Sequence, residues 1–148
     1  MIRLTTRLLL ATLVALSLTT HVLAENDQQT VEKVLVILSD DSLQTQGMAM
    51  VLSNTMSDQG AEVNVLLCDS AGDLALSSYE AEALKPKDLT PGQMLRRLMK
   101  EGASVSVCAL YLPNSEHTKD DLLDGVNVAT PPDMAAQMLD PGYRVFSF

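Results

Sequence analysis

The sequence predicts an α/β fold, a single-domain three-layer α/β/α sandwich around a mostly parallel five-stranded sheet. Two observations carry this. Short apolar, β-branched runs recur along the chain without the alternation that one wet face would impose, as strands buried on both faces do. Between them lie stretches with helical spacing and helix-capping residues, so strand and helix alternate. That alternation is the mark of right-handed βαβ units.

The first strand is Glu32-Lys33-Val34-Leu35-Val36-Ile37-Leu38. Ser39-Asp40-Asp41-Ser42 then leads into a helix whose apolar stripe is Met48, Val51, Leu52 and Met56, ended by Gly60. Glu62 to Cys68 is the second strand, and Asp73 is placed to cap a short helix before Pro86. Thr90-Pro91-Gly92-Gln93 opens the next helix. Threonine fits the cap, proline the first turn, and Gln93 completes a capping box. Met94, Leu95, Leu98 and Met99 form its buried face up to Gly102, and the third strand follows, ending at Val107-Cys108. Ser115 or Thr118 is expected to cap a short helix through Leu123 that carries Asp120 and Asp121 in its first turn. Val126–Ala129 is a fourth strand, Pro131-Pro132-Asp133 starts a helix running through Leu139, and Tyr143–Phe148 is a fifth strand. Two aromatics, Phe146 and Phe148, stand where chain ends ordinarily fray, which predicts that sheet packing or a subunit contact pins them.

The stretch before the first strand has a different character. Met1–Arg7 carries two positive charges and no acid, Leu8–Leu18 is almost uninterruptedly apolar, and Val22 and Ala24 supply small residues at the positions a signal peptidase reads. The apolar core falls short of the roughly 20 residues a membrane span needs. Residues 1–24 are therefore expected to be a signal peptide and residues 25–148 the mature domain, exported and periplasmic, with no membrane attachment after cleavage. Without Arg3 and Arg7, eight basic residues face 19 acidic ones, and the net charge falls from −9 to −11. Such a charge repels phosphate backbones, so nucleic acid is not expected as a partner.

Chemistry concentrates on Cys108. It ends a strand of a predicted parallel sheet, where ligands and reacting groups collect, and a thiolate there is a nucleophile. His117, the only histidine of the mature chain, is the candidate assisting group, and the helix expected near Ser115–Thr118 is the candidate source of a thiolate-favouring field. The other thiol, Cys68, also ends a strand. In a 2-1-3-4-5 strand order the first strand separates the two cysteines by about 9.6 Å, twice the strand spacing, beyond the about 7 Å that a disulfide spans. A Cys68–Cys108 disulfide is therefore not expected. No cofactor and no metal are expected. The chain has no His/Cys cluster at metal spacing, no glycine-rich phosphate loop and no Gly-x-Ser-x-Gly elbow, and Met48, Met50 and Met56 read as core filler.

Gln93-Met94-Leu95 opening a helix, Val107-Cys108 ending a strand, Leu123-Asp124-Gly125-Val126, and a terminal strand ending Val145-Phe146-Ser147-Phe148 occur in that order, with Lys85-Pro86 ahead of the helix. This set resembles the DsrE/DsrF-like family of sulfur-relay proteins over about Val34 to Phe148. The resemblance implies a parallel α/β sandwich assembled as homo-trimers, hexamers or mixed complexes. It also implies sulfur carried as a persulfide on a cysteine after the third strand, the place of Cys108, and an apolar residue at the position of Cys68, which makes Cys68 core packing. Some members have Cys-x-x-Cys there; this chain has Cys108-Ala109-Leu110-Tyr111, without a local second thiol. Two functions remain open. One is a periplasmic sulfur carrier or thiol-dependent sulfurtransferase using Cys108, with a donor or acceptor protein or a small sulfur compound as partner. The other is a non-catalytic homo-oligomeric binding or interaction module on the same fold.

Overall fold

The computed structural model describes residues 33–148. The expected signal peptide, its cleavage point and the start of the mature chain lie outside the described residues. Strands β1 (Lys33–Leu38), β2 (Glu62–Leu67), β3 (Ser104–Val107), β4 (Asn127–Val128) and β5 (Tyr143–Ser147) form one sheet. Every pairing in it is parallel. The helices are α1 (Leu43–Asp58), α2 (Pro91–Lys100) and α3 (Pro131–Leu139).

The order across the sheet is β4-β3-β2-β1-β5, which corrects the expected 2-1-3-4-5. From β1 the chain steps to the neighbouring strand three times in one direction, then returns across the sheet to place β5 beside β1. Right-handed crossovers in the first direction put their connections on one face, and the return crossover puts α3 on the other. An apolar strand pattern is satisfied at an interior position of either order, so the sequence pattern does not choose between them.

The two faces are unequal. Val34, Val36, Leu38, Val63, Val65, Leu67, Val105 and Val107 point to the side covered by α1 and α2, where they form the main core with Met50, Leu74, Leu95 and Leu98. The opposite face holds a small cluster of Leu35, Leu66 and Ala129, with Ile37, Cys68, Cys108, Met134 and Tyr143 packed against it. Polar groups enter this second face: the Asn64 amide donates to the Tyr143 hydroxyl at 3.0 Å. Helix α3 buries little, with Met134 and Gln137 only half covered.

Of the two aromatics at the chain end, the sheet pins one. Phe148 packs against the main core, donates its N–H to Ile37 O at 2.9 Å and accepts from Ser39 N at 3.0 Å. Phe146 is 41% exposed.

Helix α1 corrects a second expectation. Met48 and Val51 of the supposed core stripe are 55% and 48% exposed, and Leu52 is exposed with them. The buried side is Gln46, Gly47, Ala49, Met50, Ser53 and Asn54. Fixed partners meet most of these polar groups, the Asn54 side-chain oxygen excepted. Ser53 donates to Ala49 O at 2.7 Å, and the Asn54 amide donates to Met50 O at 2.8 Å and to Met94 O on α2 at 3.1 Å. Gln46 donates to Asp40 O and accepts from the Tyr79 hydroxyl, each at 3.0 Å.

Candidate thiol site

The site follows from the strand order. Leu67 pairs with Val107 in the β2–β3 register, so the next residues, Cys68 and Cys108, come side by side. The ladder runs one bond further, from Cys108 N to Leu67 O at 2.8 Å, and Cys68 N donates to Leu38 O at the same distance. Alternation along each strand puts both thiols on the face of Leu66 and Ser106. The expected separation of the two cysteines by an intervening strand is therefore overturned. Cys68 packs against the small cluster of the second face but is not enclosed by it: both cysteines are free thiols, partly buried, and line one open cavity of about 610 Å³.

Two loops build the rest of that cavity. After Cys68 the chain turns sharply at Asp69, whose φ of 49° is a left-handed conformation that aspartate tolerates better than most residues. A 3₁₀ segment, Asp69–Ala75, follows and contributes Asp69, Ser70 and Asp73 to the lining. Asp73 thus lies inside this segment instead of capping a helix. After Cys108 come Leu110, Tyr111, Asn114 and Ser115. Tyr111 ties the loops together. Its hydroxyl donates to Asp73 Oδ1 at 2.6 Å, and its ring lies against Gly72, where any side chain would overlap it. Burial and the hydrogen bond to Asp73 hold the Tyr111 phenol protonated well above its ordinary range.

The thiols are unequal. Burial pushes Cys68 up from the ordinary thiol value of 9.0 to about 12, helped by the hydrogen bond to Cys108, by charge on Cys108 and by the Asp69 carboxylate. Cys68 therefore keeps its proton to higher pH than an ordinary thiol.

His117 sits differently from expectation. Its ring stacks on Tyr111, with centroids 6.4 Å apart and planes inclined by 23°. It reaches the cavity through Tyr111 and does not line it. The helix expected to begin near Ser115 or Thr118 is a three-residue 3₁₀ turn, Lys119–Asp121. Asp121 caps that turn by accepting from both the N–H and the hydroxyl of Thr118, which hold its carboxyl below the usual range. One turn sums too few peptide dipoles to act as a helix terminus, so the expected field on Cys108 is missing. Among the described residues no group of three or more His, Cys, Asp or Glu is placed to hold a metal, and no helix is long and apolar enough to cross a membrane.

No family model matches the chain, and no curated protein does. Solved structures share its architecture, the following two among them. The YchN protein of E. coli superposes with a TM-score of 0.62 at 19% identity, over 79% of this chain and 99% of its own. A protein of unknown function from Methanobacterium thermoautotrophicum, MTH1491, does so with a TM-score of 0.62 at 17% identity, over 78% of this chain and 98% of its own. At these identities the likeness concerns the fold alone.

Proposed function

We propose that this is an exported sulfur carrier or thiol-dependent sulfurtransferase that holds sulfane sulfur on Cys108. The observation that carries the reading is the position of Cys108, partly buried at the carboxyl end of β3 and lining a cavity roomy enough for a small donor. In the step envisaged, the Cys108 thiolate attacks the outer sulfur of a donor persulfide R–S–SH. A Cys108–S–SH bond forms and R–S⁻ leaves, taking up the proton that Cys108 gave up. No net oxidation occurs, so no cofactor is required. His117 would assist only indirectly, by bracing Tyr111.

The cavity's charge bears on the donor. Among the described lining residues Asp69 and Asp73 bring carboxylates and none brings a cation. Dianions such as thiosulfate are disfavoured there, and neutral or zwitterionic persulfides are favoured. The test is intact mass and peptide mapping of a Cys68→Ser variant treated with cysteine persulfide. We expect one added sulfur atom on the Cys108 peptide, removed by a thiol reductant, slower loading by thiosulfate, and none in Cys108→Ser. A native protein that takes up sulfur only once unfolded would end this reading.

A homo-oligomer, a trimer or hexamer, completes the proposal, and it equally suits the alternative of a non-catalytic interaction module. Its support is apolar surface at one edge: Val145 and Phe146 on opposite faces of edge strand β5, each 41% exposed, with Met138 and Leu139 of the adjoining α3.

A further inference from the structure

We propose that Cys68 and Cys108 are a two-electron dithiol–disulfide site, in which Cys108 attacks a small neutral or cationic organic disulfide and Cys68 resolves the mixed disulfide. This stands whether or not Cys108 carries sulfane sulfur. The geometry is that of adjacent parallel strands in register. Cys68 and Cys108 follow the paired Leu67 and Val107, share one face and line one cavity. Neighbouring strands lie about 4.8 Å apart, inside the range of roughly 4.4–6.8 Å over which disulfide Cα atoms are found. Closure of the bond therefore needs no rearrangement of the sheet. Both thiols are partly buried but line an open cavity, through which an incoming disulfide can reach them.

The order of events follows from the surroundings of each sulfur. Cys68 keeps its proton longer, being held by burial, by the Cys108 sulfur and by Asp69, so Cys108 supplies the attacking thiolate. It displaces R–S⁻ from R–S–S–R and becomes Cys108–S–S–R. Cys68 then gives up its proton and attacks the Cys108 sulfur, forming the Cys68–Cys108 bond and expelling the second R–S⁻. Two electrons pass from the protein dithiol to the disulfide, and the protons of the two cysteines end on two R–SH. The carboxylates of Asp69 and Asp73 select the substrate by charge, attracting a cationic disulfide and repelling an anionic one.

Cystamine, a dication, and oxidised glutathione, an anion, are the probes. Native protein treated with cystamine should yield a non-reduced peptide joining Cys68 to Cys108, lose both free thiols and retain no cysteamine. Cys68→Ser should stop at one cysteamine on Cys108, and Cys108→Ser should stay unmodified over the same time. Cystamine should react several-fold faster than oxidised glutathione at low salt, and this preference should shrink in Asp69→Asn and at high salt. The proposal is overturned if the native protein keeps cysteamine on either cysteine without the internal link, or if the link appears only after denaturation. It is equally overturned if Cys108→Ser reacts as fast as the native chain. The native-protein arm decides the matter even if a serine variant fails to fold.

Discussion

Asp69 acts on the thiols twice, through its backbone and through its charge. Its left-handed φ turns the chain out of β2 directly after Cys68, and its carboxylate helps keep Cys68 protonated. Asparagine tolerates the same conformation without the charge, so Asp69→Asn should let Cys68 ionise at lower pH. The check is the pH dependence of maleimide labelling at Cys68. Asp69→Ala adds conformational strain of roughly 1–2 kcal/mol, visible as a lower melting temperature. The raised value of Cys68 also has a sign for stability. A thiol that holds its proton more tightly when folded contributes fully below 9.0, and that contribution is lost as pH rises toward about 12. Denaturation followed from pH 8 to 11 should show that loss, and Cys68→Ser should flatten it. Gly72 is the third residue that sets the site. In Gly72→Ala the new methyl would displace the Tyr111 ring. The cost should be about 1–3 kcal/mol, as for other overpacked positions, with faster labelling of Cys108 as the loop carrying Tyr111 loosens.

At the scale of elements, helix starts were more legible than helix faces. Thr90-Pro91-Gly92-Gln93 reads as a capping box, and α2 has one: Gln93 N donates to Thr90 Oγ1 at 3.1 Å and Thr90 N donates to Gln93 Oε1 at 3.0 Å. Both bonds are local, and neither depends on what the helix packs against. Thr90→Ala should cost about 1 kcal/mol, measured by denaturant unfolding. The packed face of α1 is a different matter. Hydrophobicity pointed to Met48, Val51 and Leu52, yet the helix turns Ala49, Ser53 and Asn54 inward. The carbonyl of Met94 that receives the Asn54 amide belongs to α2 and is invisible to a local pattern. Asn54→Ala should destabilise the α1–α2 contact by about 1–2 kcal/mol, the range for losing a buried hydrogen-bonded group. Met48→Ser should change stability by less than about 0.5 kcal/mol, as at other exposed positions.

For the whole molecule, the exposed edge at β5 argues for a second copy of the chain beside it. Leu139 is 83% exposed and Val145 41%, so Leu139→Glu with Val145→Lys should leave the monomer folded while lowering the mass found by light scattering at micromolar concentration. Native protein already monomeric under those conditions would remove the argument. Truncating Ser147-Phe148 is a poorer test, because Phe148 bonds to β1 and packs on the core. Export is checked separately by the amino terminus of protein from the periplasmic fraction, expected at Glu25.

The alternation of apolar strands with capped helices determined the α/β class from sequence alone, because hydrophobic periodicity and capping chemistry are properties of neighbouring residues. It also brought Cys108 to a strand end. The order of the strands was decided only by the tertiary structure, since right-handed crossovers are satisfied whether β3 lies beside β2 or beyond β1. That choice turned Cys68 from an expected core residue into the partner of Cys108. The one trace of it in the chain is that each thiol directly follows its strand. The short helix expected beyond Ser115 shrank to one 3₁₀ turn because the Thr118–Asp121 cap closes on itself and Leu122 leaves in extended conformation toward the core. Which side chains share a cavity depends on contacts between residues about forty positions apart, and those exist only once the sheet has formed.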